Sequence, residues 1–143
     1  MQVDKSWQIV PFECAGRIRL GAQRSEVRHI FGSTLRTALK GSGQWAYEID
    51  GLLDFSVQVS YDKTDRVSQV QLSVPLEAGC EGVALLGRRM DDLERDLRRR
   101  GHDLACDPLD TASIDCPALG LAFYVVDGVV AAVAAISRDL RTT

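Results

Sequence analysis

The chain has 143 residues, 45% of them hydrophobic and 26% charged, with a formal net charge of -3 and a pI near 5.3. That length bounds one compact domain, or two small units sharing a core, and the apolar fraction excludes a disordered chain. The mild acidity argues against nucleic acid or anionic lipid as a whole-surface partner, because both attract clustered Lys and Arg.

The first residues, through Trp7, are polar and mixed, and they lack the basic start and continuous apolar stretch of a signal peptide. A cytoplasmic protein is therefore expected. A short strand is expected over 7–12. Val27, Ile30 and Phe31 then recur at i, i+3 and i+4, which predicts a helix over 23–31, with Gly32 as its cap. Gly41-Ser42-Gly43 reads as a flexible connection before a short strand over 44–49.

In 53–61, Phe55, Val57, Val59 and Tyr61 alternate with Ser56, Gln58 and Ser60. In 67–74, Val70, Leu72 and Val74 alternate with Gln69, Gln71 and Ser73. The two segments read as antiparallel partners with one buried and one wet face, turned at 62–66. After a link at 76–79, a second helix is expected over 89–100. Met90, Leu93 and Leu97 form its apolar face, Asp91 and Asp92 lie in its first turns and Arg98 to Arg100 in its last, and Gly101 ends it. A short strand is expected over 103–106. The segments 119–126 and 129–137 are apolar on both faces, and Asp127-Gly128 between them signals a tight hairpin. Both runs are too short to cross a bilayer as helices, so no membrane is expected as a partner. The 141–143 tail is expected to fray.

An internal similarity organises these elements. Cys14-Ala15-Gly16-Arg17-Ile18-Arg19-Leu20-Gly21 and Cys80-Glu81-Gly82-Val83-Ala84-Leu85-Leu86-Gly87 both read C-x-G-x-x-x-L-G, and each leads to an acid and an aliphatic residue, Glu26-Val27 and Asp92-Leu93. The expectation is an α+β fold of two tandem helix-then-antiparallel-strands units, 1–78 and 79–143, with helices packed on antiparallel sheet in one compact domain.

The pattern Ile18-x-Leu20-Gly21-x-x-x-x-Glu26-Val27-x-x-Ile30-Phe31-Gly32 resembles the start of a helix-plus-sheet module found in many small bacterial proteins. In tandem, that module is similar to the fold of β-lactamase inhibitor proteins. As a single unit it is similar to the small lipoproteins that assist outer-membrane assembly. The family pattern places Ser or Thr two residues after the Leu-Gly pair, as a helix cap; here Gln23 and Arg89 stand there. The resemblance implies a non-enzymatic binder that presents a sheet face and loops to another protein. Joined to a cytoplasmic location, it implies an immunity protein that neutralises a toxin by blocking its active site.

The residues themselves offer little chemistry. No pair among Cys14, Cys80, Cys106 and Cys116 has C-x-x-C spacing, and His29 and His102 are the only histidines, so neither a metal nor a cofactor is expected. Cys106 and Cys116 are close enough in sequence to be bridged in an oxidising compartment. A His102–Cys106 pair has no evident third member, so no catalytic residue is assigned. The acids Asp103, Asp107, Asp110 and Asp115 lack a calcium-loop signature; they read as solvated charge on a connecting segment, suited to capturing a basic partner. Arg95, Arg98, Arg99 and Arg100 are interleaved with Asp91, Asp92, Glu94 and Asp96 and read as a solvated helix end. Among the candidate contact aromatics Trp7, Trp45, Tyr47 and Tyr61, the best pair is Trp45 and Tyr47.

The expected function is a non-catalytic protein-binding module, an immunity-type inhibitor. It would set Trp45, Tyr47, Asp107, Asp110 and Asp115 against a basic active-site cleft of a toxin or enzyme encoded nearby. The alternative is a small-molecule-binding protein with a cavity between sheet and helices, suggested by the doubly apolar hairpin at 119–136.

Overall fold

The computed structural model describes residues 6–107 and 109–138, through the backbone alone at Ser6, Asp107, Asp110 and Thr111. The residues before Ser6 that bear on a leader, and the 141–143 tail, lie outside that range. Three short strands come first, β1 (Ser6–Val10), β2 (Cys14–Ala15) and β3 (Ile18–Arg19), followed by helix α1 (Arg24–Phe31). A meander of four strands follows: β4 (Arg36–Lys40), β5 (Tyr47–Leu52), β6 (Val57–Tyr61) and β7 (Val67–Ser73). Then come β8 (Glu77–Cys80), β9 (Val83–Ala84) and helix α2 (Met90–Arg99). The last four strands are β10 (Ala105–Asp107), β11 (Asp110–Cys116), β12 (Leu121–Val126) and β13 (Val129–Ile136).

These strands form two sheets, not two helix-then-strands units. The small sheet has the order β3-β2-β1-β8-β9, with β1 and β8 parallel. The large sheet is antiparallel in the order β10-β11-β12-β13-β7-β6-β5-β4. The described residues are thus mostly β, with two short helices, α1 and α2, set among the strands, and the expected α+β arrangement is corrected accordingly. The physical reason is that a strand of alternating or apolar residues needs a neighbour for its free backbone edge. Strands β7 and β13 satisfy one another, Val70 opposite Ala135 and Leu72 opposite Val133, so the two meanders fuse. The Cys-x-Gly stretches, expected as lead-ins to helices, are hairpins of the small sheet.

The departure from a Ser or Thr helix cap has a structural counterpart. Neither helix has a side-chain cap at its start. Instead the Arg24 N–H donates to the Asp65 carbonyl at 2.8 Å, and the Met90 N–H donates to the Gly128 carbonyl at 2.9 Å. The β6–β7 and β12–β13 turns therefore supply the acceptors that an N-terminal turn lacks. Asp62 holds the first of these turns, its Oδ1 accepting from the Thr64 and Arg66 N–H groups.

Other segments differ from the sequence pattern. Leu53, Asp54 and Phe55 are not strand; their φ values of 51°, 54° and 63° make a left-handed turn. The Phe55 ring folds back over Gly51, where a Cβ would collide with it. Gln44 and Trp45 belong to a 3-10 turn, Gly43–Trp45, and the acidic segment before Cys116 is strand β11 and not a connection.

One core cluster joins Val27 and Phe31 of α1, Leu93 and Leu97 of α2, Ile9 and Ile18 of the small sheet, and the inward residues of the large sheet, such as Val59, Leu72, Phe123 and Val133. The other face of the large sheet carries small and amide side chains at its centre and charged ones toward its two ends. One cross-strand row runs through all eight strands as Arg36, Gly51, Gln58, Gln71, Ala134, Ala122, Asp115 and Ala105.

Candidate protein-docking surface

The β4–β5 hairpin carries the densest exposed apolar group of the described residues. Leu39 on β4 is 71% exposed, Trp45 in the turn 77% and Tyr47 at the start of β5 50%. Strand pairing sets Leu39 beside Glu48 on one face and Tyr47 beside Lys40 on the other, so the exposed apolar group wraps the end of the hairpin and makes it a candidate interaction surface. The turn that presents Trp45 is tight. Trp45 N–H donates to the Ser42 carbonyl at 3.1 Å, and Gly41, at φ 80°, lies so close that a Cβ there would sit 2.8 Å from the Trp45 carbonyl oxygen. The Gly-Ser-Gly stretch is therefore part of the tight turn that connects β4 to β5.

Beneath this hairpin lies Asp50, whose side chain is fully buried. Strand pairing places Asp50 opposite Thr37 of β4 and Val59 of β6, on the face toward α1. Its Oδ1 accepts from Thr37 Oγ1 at 2.7 Å and its Oδ2 accepts from Tyr61 Oη at 2.7 Å. Arg24 Nη2 is 3.4 Å from Oδ1 and Arg28 Nε 3.6 Å from Oδ2. Arg24 also stacks over the Tyr61 ring at 4.8 Å and reaches Glu48 at 3.7 Å and Asp65 at 3.9 Å. Burial pushes the Asp50 carboxyl up, but the Tyr61 and Thr37 hydrogen bonds and the Arg24 charge outweigh it, and the group lies below the usual carboxylate range. The Tyr61 hydroxyl is pushed up, first by burial and then by Asp50. A carboxylate in the core thus ties β4, β5, β6 and α1 together under the exposed residues.

The remaining expected contact residues are not brought to this surface. Asp107 and Asp110 have backbone in β10 and β11, and their side chains lie outside what is described. Asp115 is exposed on β11, opposite Ala122 of β12. Between β11 and β5 are five strand intervals, about 24 Å along the sheet at the usual spacing. The expected single patch is therefore two separate ends. Trp7 is buried in the core and Tyr61 is engaged with Asp50.

The other candidate groups have assigned places. His102 Nε2 is 3.0 Å from Glu81 Oε1. Cys106 is exposed on β10, opposite Ile114, while Cys116 is buried, and none of the four cysteines is in a disulfide. The Cys80 thiol is pushed up to about 11, chiefly by burial. Arg95 pairs with Asp92 at 3.2 Å, and Arg98 and Arg99 lie 3.8 Å and 3.9 Å from Glu94 and Asp96, so the α2 arginines form ion pairs along the helix. Among the described residues, no group of three or more His, Cys, Asp or Glu is arranged to hold a metal ion, and no helix is long and apolar enough to cross a membrane. Open clefts of 430 and 390 Å³ flank β9 in the small sheet. The doubly apolar hairpin fills the core with Val130 and Val133 and turns Ala132 and Ala134 to the outer face.

The residues that the sequence pattern missed are Leu39, Arg36, Lys40 and Asp50. Two signals point to them: the stretch from Gly32 to Tyr47 has two cations and no acid, and Asp50 lies between the apolar residues Ile49 and Leu52. Comparison with protein-family models, with characterised proteins and with solved structures gives no match, so the functional reading rests on these residues.

Proposed function

We propose that this chain is a non-catalytic protein-binding module that docks through the β4–β5 end of its large sheet. We further infer that it is an immunity-type inhibitor, covering the active site of a toxin or enzyme. The observation that carries the reading is the exposure of Leu39, Trp45 and Tyr47 on a hairpin held from below by Asp50. Large aromatic side chains on a fixed frame lose little freedom on binding, which is how a small contact becomes an energetic anchor. The charge of this end favours a partner with an acidic rim, in place of the basic cleft expected from the sequence. Arg36 and Lys40 are the only charged residues between Gly32 and Tyr47.

The test is co-purification with the product of the adjacent gene, followed by titration of the Trp45→Ala and Tyr47→Ala variants. The double variant is expected to bind about 100-fold more weakly, as for two anchor residues. Unchanged affinity in that variant, or no protein bound at micromolar concentration, contradicts the reading.

A further inference from the structure

We propose that the open edge of β4 accepts an extended strand of the partner protein as an added strand of the large sheet, and that it selects a strand with two carboxylates four residues apart. This strand addition rests on the docking surface above and specifies what fills it.

The two edges of the large sheet differ in their fitness for such pairing. Strand β10 has three residues, and its register with β11 shifts between Cys106 and Asp107. Short length and a bulge are the usual means of blocking edge pairing. Strand β4 has five residues in unbroken register with β5, from Arg36 opposite Gly51 to Lys40 opposite Tyr47. Its other side has no neighbouring strand among the described residues, so alternate residues turn backbone N–H and C=O groups outward.

Charge specifies the occupant. Arg36, Ala38 and Lys40 alternate onto the outer face, and neither Arg36 nor Lys40 forms an ion pair among the described residues. The two acids of β5, Glu48 and Asp50, lie on the opposite face, and Glu48 is 3.7 Å from Arg24. An antiparallel strand beside β4 meets Arg36 and Lys40 with two residues four apart, and carboxylates there form directly opposed cross-strand pairs. The residue next to the carboxylate facing Lys40 falls opposite Leu39 and is best apolar. A second copy of this chain is a poor occupant: two β4 strands paired about Ala38 set Arg36 of each copy against Lys40 of the other, a like-charge pair.

The probe is a fluorescein-labelled, Thr- and Val-rich peptide of about ten residues with two glutamates four apart, read by anisotropy beside its Gln and Lys counterparts. The Glu peptide is expected to bind about 2- to 30-fold tighter than the Gln peptide, and the Arg36→Glu/Lys40→Glu variant is expected to prefer the Lys peptide. Methylating alternate backbone amides of the peptide abolishes binding in one phase and spares it in the other, because only one set faces β4. Charge-blind binding, equal effects of the two methylation phases, no binding up to about 1 mM, or a self-dimer that displaces the peptide overturns the proposal. Loss of binding in Trp45→Ser with no response to the charge reversal removes strand addition and leaves the docking surface in place; loss in neither variant removes both.

Discussion

The two ends of the large sheet answer the same structural problem with opposite chemistry. Asp50 pairs with Val59 on β6, and the corresponding residue at the other end, Ile114, pairs with Phe123 on β12. Tyr61 is matched by Val125, and Arg24 at the start of α1 by Met90 at the start of α2. One end is thus floored by an ionic network and the other by three apolar residues, with Met90, Ile114 and Val125 all packed into or against the core. A buried ion pair of this kind is weak evidence of stability, since desolvation consumes most of its Coulomb energy. The network also leaves Arg24 Nε buried with no acceptor among the described residues. What it supplies is geometry: three hydrogen bonds and an ion pair to Asp50 fix the position of β4 and β5, and that is the end with the exposed aromatics and the regular open edge.

The largest expected effect comes from breaking this network on one side. Asp50→Ala strands Arg24, Thr37 and Tyr61 and is expected to cost about 3–5 kcal/mol by urea unfolding, whereas Ile114→Val at the matching position costs about 1 kcal/mol. Copying the apolar end onto the ionic one, as Arg24→Met, Asp50→Ile and Tyr61→Val together, is expected to restore stability to the wild-type value or above. A triple variant as unstable as Asp50→Ala contradicts the comparison. Gly41→Ala comes next. It forces a Cβ onto the Trp45 carbonyl at positive φ, for a cost of about 1–3 kcal/mol together with a shift of Trp45 fluorescence. No shift with full stability means that the turn is not held as described.

Titration of the same network gives a graded effect at both ends of the pH scale. The Asp50 carboxyl is depressed in the folded state, so its contribution is complete above the unfolded value of about 4 and is lost as pH falls below it. The Tyr61 hydroxyl is raised in the folded state, so its contribution is complete below about pH 10 and is lost above that. The triple variant is expected to flatten both limbs of the stability profile, and two unchanged limbs assign them to other groups. The smallest effects belong to the surface. Leu39→Ser and Trp45→Ala are expected to change stability by no more than about 0.5 kcal/mol. A larger loss places those side chains in the core.

Local patterns were legible in the sequence where they are set by periodicity. The stripe of Val27 and Phe31, the stripe of Leu93 and Leu97, and the Asp127-Gly128 turn each follow from spacing alone. The assembly of the sheets was not, because the pairing of β7 with β13 joins residues about sixty apart and leaves no local mark. Strand β4 was hidden because Arg36-Thr37-Ala38-Leu39-Lys40 has no apolar face; an edge strand open on both faces has no need of one. The acidic segment before Cys116 read as a loop because its charges suit one, yet pairing with β12 holds it as a strand with Asp115 on the exposed face. Trp45 and Tyr47 were named from their chemistry, and Asp50 was missed because an acid in a strand shows its partners only when α1 is folded over it.

Amide hydrogen exchange of the protein, alone and bound to the product of the adjacent gene, tests the docking surface most directly. Slowed exchange concentrated from Arg36 to Tyr47, with β10 and β11 unchanged, is the predicted footprint. Protection confined to the β10–β11 end, with the β4–β5 hairpin exchanging as in the free protein, contradicts it.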